Sequence, residues 1–181
     1  MDNIRLLTLT DENRDLFVKT LEVELLKSFG VDNVAALPEN YSDRERWSLI
    51  RMIREKRIDS YQLIYVNDQF WAGSGGLVRQ FNGSLVYQGG FRAFADAKSI
   101  NVGIGCKSYS HEYNTKFQIE RAKELGCVSL VLSFNDSNKR LFEVTQRYHL
   151  KKVFGKNAFI ATDTPVLFNG VEQWLLTMSL K

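Results

Sequence analysis

The sequence is poor in the residues that build disulfide-bonded or metal-stapled folds. It has two cysteines, two histidines and two prolines in 181 residues, and the spacing of Cys106, His111 and Cys127 matches no metal-binding motif, so we expect no metal site. No run of about 18 apolar residues occurs, which excludes a membrane-spanning helix. The acidic residues near the start do not fit a secretory signal, and the few cysteines indicate reduced thiols, so we expect a cytoplasmic protein.

The rest of the composition is typical of one folded domain. Hydrophobic residues make up 44% and charged residues 25% of the chain, and a domain has about 150 residues. We therefore expect residues 1–181 to form a single domain. The formal net charge of +3 is spread along the chain. No stripe of Lys and Arg with interleaved aromatic residues supports a nucleic-acid partner, although the charge leaves one open.

The first third predicts one strand and two helices. After an apolar run from Ile4, Thr10 and Asp11 offer N-cap oxygens. Apolar residues then recur every four positions until Gly30, which predicts a helix with the stripe Phe17, Leu21, Leu25 and Phe29. The Ser42–Glu45 segment has the pattern of a capping box for a second helix, whose apolar face is Trp47, Ile50 and Ile53.

The middle third predicts three antiparallel strands. They run over Tyr61–Val66, Phe70–Phe81 and Leu85–Ala95. Asn82-Gly83 is the strongest hairpin signal, because a type I′ turn needs two residues that tolerate positive φ. The strands contain several glycines, which indicates bulges or the close approach of another backbone or a ligand, and simple curvature of the sheet explains them equally well.

The last third alternates its elements. We expect a helix over Glu112–Leu125, a buried strand over Val128–Phe134 and a helix capped by Asp136 or Ser137. The apolar stripe of this last helix is Leu141, Val144, Thr145 and Tyr148. Three extended segments follow it, Val153–Ile160, Val166–Phe168 and Val171–Leu180, and an Asn-Gly turn at 169–170 joins the last two. The whole predicts an α/β fold with a mixed, mostly antiparallel sheet of about seven strands flanked by about four helices.

Two motifs in the last third resemble those of a known family. The segment from Asn138 to Leu150 has the spacing of the pattern N-x-x-A-x-x-x-Y-x-x-x-G-F, in which Asn138 matches and Thr145 stands at the tyrosine. The helix end Ala122–Gly126 and the strand after it are similar to that family's helix-glycine-strand junction. With the order of elements, this resembles the GNAT superfamily of acyl-CoA-dependent N-acyltransferases over nearly the whole chain.

The resemblance implies an activity and the strands that carry it. The chain would transfer an acetyl or similar acyl group from coenzyme A to the amine of a small molecule or peptide, by direct attack in a ternary complex and with no metal. Two parallel strands, Leu85–Ala95 and Val128–Phe134, would part to admit the pantetheine arm. A backbone N–H near Phe94 or Ala95 would then polarise the thioester carbonyl.

The phosphate-binding loop departs from the family pattern. By position it is Cys106–His111, which contains no glycine, and Gly103-Ile104-Gly105 lies about six residues too early for the family's Q/R-x-x-G-x-G/A. Three explanations stay open. The loop is displaced along the chain, or coenzyme A is not bound. In the third, the phosphates are held by Asn138 and by the side chains of Lys107, Ser108, Tyr109 and Ser110.

The acid, the base and the acceptor contact each have a structural alternative. Tyr148 or Thr145 would protonate the leaving thiolate, or both pack on the helix stripe. Asp96 or His111 would act as the base. In the structural alternative, Asp96 is a turn residue and His111 is an exposed residue of a loop. Arg92, a charge within a strand, would contact the substrate or pair elsewhere.

Two further functions stay open beside acyl transfer to a small amine. The glycine-free loop and the missing tyrosine favour a catalytically lapsed GNAT-like binding module. An acyltransferase acting on a macromolecule such as nucleic acid or aminoacyl-tRNA fits the mild basic charge. The expected exposed edge of the Val171–Leu180 strand suggests a homodimer.

Overall fold

A computed structural model describes residues 3–30, 32–33, 50–58, 60–93, 114–145 and 150–181. Along the chain its elements are β1 (Ile4–Thr8), α1 (Arg14–Phe29), α2 (residues 50–54), β2 (Ser60–Val66), β3 (Gln69–Phe81), β4 (Ser84–Ala93), α3 (Thr115–Glu124), β5 (Ser129–Phe134), a 3₁₀ turn (Asp136–Asn138), α4 (Lys139–Val144), α5 (Lys151–Phe154), β6 (Ile160–Ala161), β7 (Val166–Phe168) and β8 (Val171–Ser179).

The strands are hydrogen-bonded in the order β1-β2-β3-β4-β5-β8-β6, and β7 pairs with β8 off this path. The β4–β5 pair is parallel, whereas β1–β2, β5–β8, β6–β8 and β7–β8 are antiparallel. This confirms the expected α/β class with a mostly antiparallel sheet. By its contacts the chain divides into two compact units, residues 1–75 with 92–103 and residues 76–91 with 104–181. The single domain expected from the sequence stays a prediction.

In the first unit, α1 buries the predicted stripe. Phe17, Leu21 and Leu25 are each at most 1% exposed, and the Phe17 ring packs edge-on against Tyr61, with 6.3 Å between the ring centroids. Gly30 ends the helix with φ +65°, as the sequence predicted. The helix begins at Arg14 rather than after Thr10, because Thr10 and Asn13 bond each other's backbone N–H through their side-chain oxygens.

The side chain of Arg14 joins α1 to the residues around α2. Its Nη1 donates to the carbonyl oxygens of Ile53 at 3.1 Å and Ile58 at 3.4 Å, and its Nη2 donates to Asp11 Oδ1 at 2.7 Å. Arg14 is only 8% exposed. A buried guanidinium is tolerated here because carbonyl and carboxylate oxygens surround it. The predicted capping box Ser42–Glu45 and Trp47 lie outside the described residues.

The turns between strands follow the sequence signals. Asn82 and Gly83 both have positive φ, +47° and +76°, and so do Asn169 and Gly170, +55° and +80°. Asn67 and Asp68 also turn the chain with positive φ. Asn, Asp and Gly adopt this conformation at the lowest steric cost, so these hairpins are confirmed where local chemistry decides them.

In the second unit, hydrophobic clusters lie on opposite faces of β4 and β5. Tyr87 and Leu130 pack with Ala122 of α3 and with Cys127. Val86 and Val131 point to the other face and pack with Phe168 and Leu175. Neighbouring strand residues alternate between faces, so β5 contributes to both clusters, as its continuous apolar sequence predicted.

Three expectations for the last third are wrong in detail. Leu141 is 54% exposed and Phe142 is the buried residue of α4, 4% exposed, because the Phe142 ring packs against Phe134 and Trp174. Within Val153–Ile160, residues up to Phe154 form α5 rather than a strand. The strand Val171–Ser179 is no open edge, since β5, β6 and β7 all pair with it. The reason given for a homodimer is therefore removed.

Candidate functional site

The parallel pairing of β4 with β5 ends before either strand does. Four residue pairs join them, from Val86↔Ser129 to Gly89↔Leu132. β4 continues to Ala93 and β5 to Phe134, where β5 stays paired with β8 through Phe134↔Trp174. In the described residues, Gly90 has no partner on β5. The end of the pairing leaves backbone groups at this point available to something other than a neighbouring strand.

A buried amide from α3 takes up one of these backbone groups. Gln118 Nε2 donates to the carbonyl oxygen of Gly90 at 2.8 Å and to Asn114 Oδ1 at 3.1 Å. Gln118 is 0% and Asn114 5% exposed. Because Asn114 directly precedes Thr115, the first residue of α3, these bonds hold the start of the helix at the place where β4 and β5 stop pairing.

Gly89 makes this close approach possible. A Cβ at position 89 would lie 2.4 Å from Gln118 Oε1 and 3.0 Å from Leu130 Cδ1. Both distances are shorter than normal van der Waals contact, so a larger residue would displace the Gln118 amide or the strand. The sequence predicted that another backbone or a ligand would approach the strand glycines; at Gly89 the approaching group is instead the Gln118 side chain.

A chain of polar side chains crosses the face of β3, β4 and β5 that carries Val86 and Val131. Arg79 Nε donates to Gln88 Oε1 at 3.1 Å, and Gln88 Nε2 donates to Ser133 Oγ at 3.0 Å. Ser133 directly follows Leu132, the last residue of β5 that pairs with β4. All three side chains are half-buried.

The turn after β5 carries Asn138, one of the predicted cofactor contacts. Asn135 Oδ1 accepts the Asn138 N–H at 3.1 Å, which caps the 3₁₀ turn, and Trp174 Nε1 donates to Asp136 Oδ1 at 3.3 Å. Asn135 caps only the 3₁₀ turn, and the N-cap position of α4 is Asn138, so the prediction that Asp136 or Ser137 caps the helix is wrong. Asn138 is exposed, at the end of the same strand whose pairing with β4 stops.

The other predicted site residues divide into three groups. Thr145 is 4% exposed at the end of α4, as its packing alternative requires. Arg92 lies in β4, and the structure describes only its backbone. The remaining ones lie outside the described residues: Phe94, Ala95, Asp96, Lys107, Ser108, Tyr109, Ser110, His111 and Tyr148.

Sequence reasoning missed the residues that join α3 to β4. Asn114 and Gln118 lie four residues apart on the same side of the helix as the buried Ala122. Polar residues on an otherwise buried stripe were the available signal, because such residues need hydrogen-bond partners. Gln88 and Ser133 gave no comparable signal, since polar residues within strands commonly face solvent.

Cys127, the described thiol near α3, is not a nucleophile. Burial raises the pKa of the Cys127 thiol, which is 7% exposed, and a neutral buried thiol is unreactive. Among the described residues, no three His, Cys, Asp or Glu side chains lie close enough to hold a metal ion. No described helix is both long and apolar enough to cross a membrane.

Solved structures with the same fold include several acetyltransferases. A proposed acetyltransferase from Acinetobacter baylyi aligns with a TM-score of 0.54 and 14% identity over 99% of this chain and 94% of its own. One from Salmonella typhimurium, solved with its cofactor acetyl-CoA, aligns with a TM-score of 0.52 and 11% identity over 98% and 94%. The aminoglycoside acetyltransferase AAC(6')-Ib, solved with coenzyme A and kanamycin, gives 0.52 and 10% over 98% and 95%.

These similarities show that the chain shares its fold with these acetyltransferases. At identities of 14% or below, a shared fold does not by itself carry an activity. No family model and no curated protein matches the chain.

Proposed function

We propose that the chain is an acyltransferase, which moves an acetyl or similar acyl group from coenzyme A to an amine by direct attack in a ternary complex. One observation carries the proposal. The parallel pair β4–β5 stops at Gly89↔Leu132 while both strands continue. The start of α3 is held at the same place by Gln118. The acetyltransferases with this fold supply the chemical class.

The two features suit the two ends of an acyl-CoA. Strands that part at Gly90 leave backbone groups that can bond an extended pantetheine arm as a further strand would. A helix N-terminus is favourable for the pyrophosphate, because its free N–H groups and the helix dipole attract anions. Lys107, Ser108, Tyr109 and Ser110 precede this helix, and Asn138 follows β5. We propose these residues as the coenzyme contacts.

The reaction needs an oxyanion donor and two proton transfers. The amine nitrogen attacks the thioester carbonyl carbon, the tetrahedral oxyanion accepts a hydrogen bond, and the thiolate then leaves with a proton. We propose the backbone N–H near Phe94 or Ala95 as the donor and Asp96 or His111 as the base. Tyr148 is the better candidate acid, because Thr145 is buried. Arg92 remains the proposed substrate contact on β4.

Titration calorimetry with acetyl-CoA and with free coenzyme A tests the proposal. We expect saturable binding in the micromolar range to the wild-type protein. Ser110→Tyr should weaken it at least tenfold by filling the phosphate loop, and Asn138→Ala should weaken it less. Asn157→Ala is the matched control, because Asn157 is an exposed asparagine in the turn after α5, and should bind like wild type.

The result that contradicts the proposal is equally concrete. Absence of binding up to about 1 mM corresponds to a binding free energy weaker than about −4 kcal/mol, which an acyl-CoA enzyme cannot use. That result favours the non-catalytic binding module. If binding is seen but no small amine accepts the acyl group, peptides and then aminoacyl-tRNA are the acceptors to assay next.

A further inference from the structure

Arg79 stands apart from the other arginines that the structure describes. Six of them form an ion pair with a nearby carboxylate: Arg5, Arg14, Arg51, Arg54, Arg57 and Arg121. Arg140 forms none in the described part of the chain, but it is exposed to solvent. Arg79 is half-buried, and within the described ranges of the chain its one hydrogen-bond partner is Gln88. Among the arginines whose side chains the structure describes, Arg79 is therefore the one that is partly buried without a carboxylate partner in the described residues.

The bond to Gln88 also fixes the orientation of the guanidinium. It uses Nε, so the two terminal nitrogens keep their N–H donors, and these are the atoms that bind a carboxylate or phosphate in a bidentate way. Gln88 is itself held by Ser133. A guanidinium held in place before a ligand arrives loses less side-chain entropy on binding.

This arrangement lies beside the point where β4 and β5 stop pairing. Gln88 precedes Gly89, and Ser133 follows Leu132, the partner of Gly89. Through Gln88, the guanidinium is two hydrogen bonds away from Ser133. It lies on the face of the sheet opposite the cluster that contains Ala122 of α3.

We propose that Arg79 binds an oxyanion group, a carboxylate or a phosphate, on the amine that accepts the acyl group. This inference rests on the proposed acyl transfer. The acceptor chemistry it implies is an amine with an anionic substituent, and neutral or polycationic amines are excluded as preferred acceptors. Gln88 and Ser133 act as positioning residues, since they hold Arg79 and need not touch the acceptor.

The first test measures anion binding without any activity. The Nε–H signal of Arg79 is followed by ¹H–¹⁵N NMR during separate titrations with inorganic phosphate and with acetate, and is assigned by its loss in Arg79→Lys. We expect a saturable shift of this signal with one of the two anions, at millimolar concentration, while the Arg51 signal stays unchanged. The absence of a saturable shift with both anions overturns the proposal.

The second test compares matched acceptors in the acetyl-CoA reaction. Glycine is paired with glycinamide, and ethanolamine phosphate with ethanolamine. The anionic member of one pair should be used with a kcat/KM at least tenfold higher, and Arg79→Gln should abolish that preference by raising KM. Arg51→Gln, the same charge change at an exposed site, should keep the preference. Equal use of both members, or a preference that survives in Arg79→Gln, contradicts the proposal.

The two proposals fail in different ways. If wild-type protein does not bind acetyl-CoA, the acyl-transfer proposal fails, and the NMR titration still decides whether Arg79 binds anions. If Arg79→Gln weakens acetyl-CoA binding itself, Arg79 serves the coenzyme phosphates, and its role toward the acceptor is wrong. Unchanged unfolding midpoints for the variants show that their folds are intact.

Discussion

Arg14 and Arg79 show how differently the two units use a partly or fully buried arginine. In the first unit, Arg14 bonds two backbone carbonyl oxygens and the Asp11 carboxylate, and is 8% exposed. In the second unit, Arg79 bonds one amide oxygen. The guanidinium of Arg14 is occupied by the protein itself, whereas that of Arg79 keeps donors that can bind a ligand.

The difference separates an arginine that stabilises the fold from an arginine that is able to bind a ligand. A buried charge stabilises a fold only where the surrounding chain supplies its partners. Where the chain supplies one partner and holds the rest of the group in a fixed orientation, a ligand can supply the others. The number of partners, rather than burial alone, separates the two arginines.

The largest effect on stability is expected when the guanidinium of Arg14 is removed, and the same change at Arg79 provides the comparison. Arg14→Met removes the donor to the Ile58 carbonyl oxygen, one donor to the Ile53 carbonyl oxygen, which also accepts the Lys56 N–H, and the charged bond to Asp11. We therefore expect a loss of about 3 kcal/mol in the free energy of unfolding. Arg79→Met removes one bond to Gln88 and should cost less than about 1 kcal/mol. Urea denaturation monitored by tryptophan fluorescence measures both.

The control for this pair is Arg54→Met, which breaks an ion pair at a side chain that is 55% exposed. Exposed ion pairs contribute little, so this variant should lose less than about 1 kcal/mol. Equal losses for Arg14→Met and Arg79→Met would contradict the distinction drawn between the two arginines.

An intermediate effect is expected from Gly89→Ala. The new methyl group would collide with the Gln118 amide, so we expect a loss of about 1–2 kcal/mol in stability and weaker acetyl-CoA binding, since the start of α3 shifts. Urea denaturation and titration calorimetry measure the two consequences.

A double-mutant cycle with Gln118→Ala identifies the cause. If the amide is the obstacle, the stability cost of Gly89→Ala should be smaller in the Gln118→Ala background. Additive losses in the cycle would show that the strand itself, rather than Gln118, resists a side chain at position 89.

The smallest effect on stability is expected from a change at Asp11, the carboxylate partner of Arg14. The hydrogen bond from Arg14, and then the charges of Lys56 and Arg14, lower the pKa of Asp11 from its usual 3.8. A lowered pKa in the folded state stabilises the fold above the pKa of the unfolded chain, and this contribution is lost as the pH falls through the folded value. The urea midpoint of Asp11→Asn should therefore lie slightly below that of wild type at pH 7.

The same measurement at pH 2.5 completes this prediction. Asp11 is more protonated there than at pH 7, so the difference between wild type and Asp11→Asn should be smaller. A difference that is the same at both pH values would show that the pair contributes through packing rather than charge.

The sequence predicted those parts of the fold that local chemistry decides. The stripe of Phe17, Leu21 and Leu25 and the Asn-Gly turns depend on helical spacing and on tolerance of positive φ, and the structure confirms them. Leu141 was wrongly placed in the buried stripe, because Phe142 is the residue of α4 whose ring packs against Phe134 and Trp174. Trp174 lies far along the chain, so this contact could not be read from the helical spacing.

The candidate site was predictable only in outline. The family resemblance implied two parallel strands that part, and the pairing of β4 with β5 does end at Gly89↔Leu132. The Gln118–Gly90 bond joins residues 28 positions apart, and the Gln88–Ser133 bond joins residues 45 positions apart. No local pattern marks such pairs, because they form only when distant elements come together.

The pairing of β8 also determines the order in which the second unit can form. β8 follows β5, β6 and β7 along the chain and pairs with all three, and in the described residues it is the only strand partner of β6 and β7. During synthesis those two segments must therefore leave the ribosome before any strand exists to receive them. Their hydrophobic residues Ile160 and Leu167, already exposed in the folded chain, are then open to chaperones or to other nascent chains until β8 emerges.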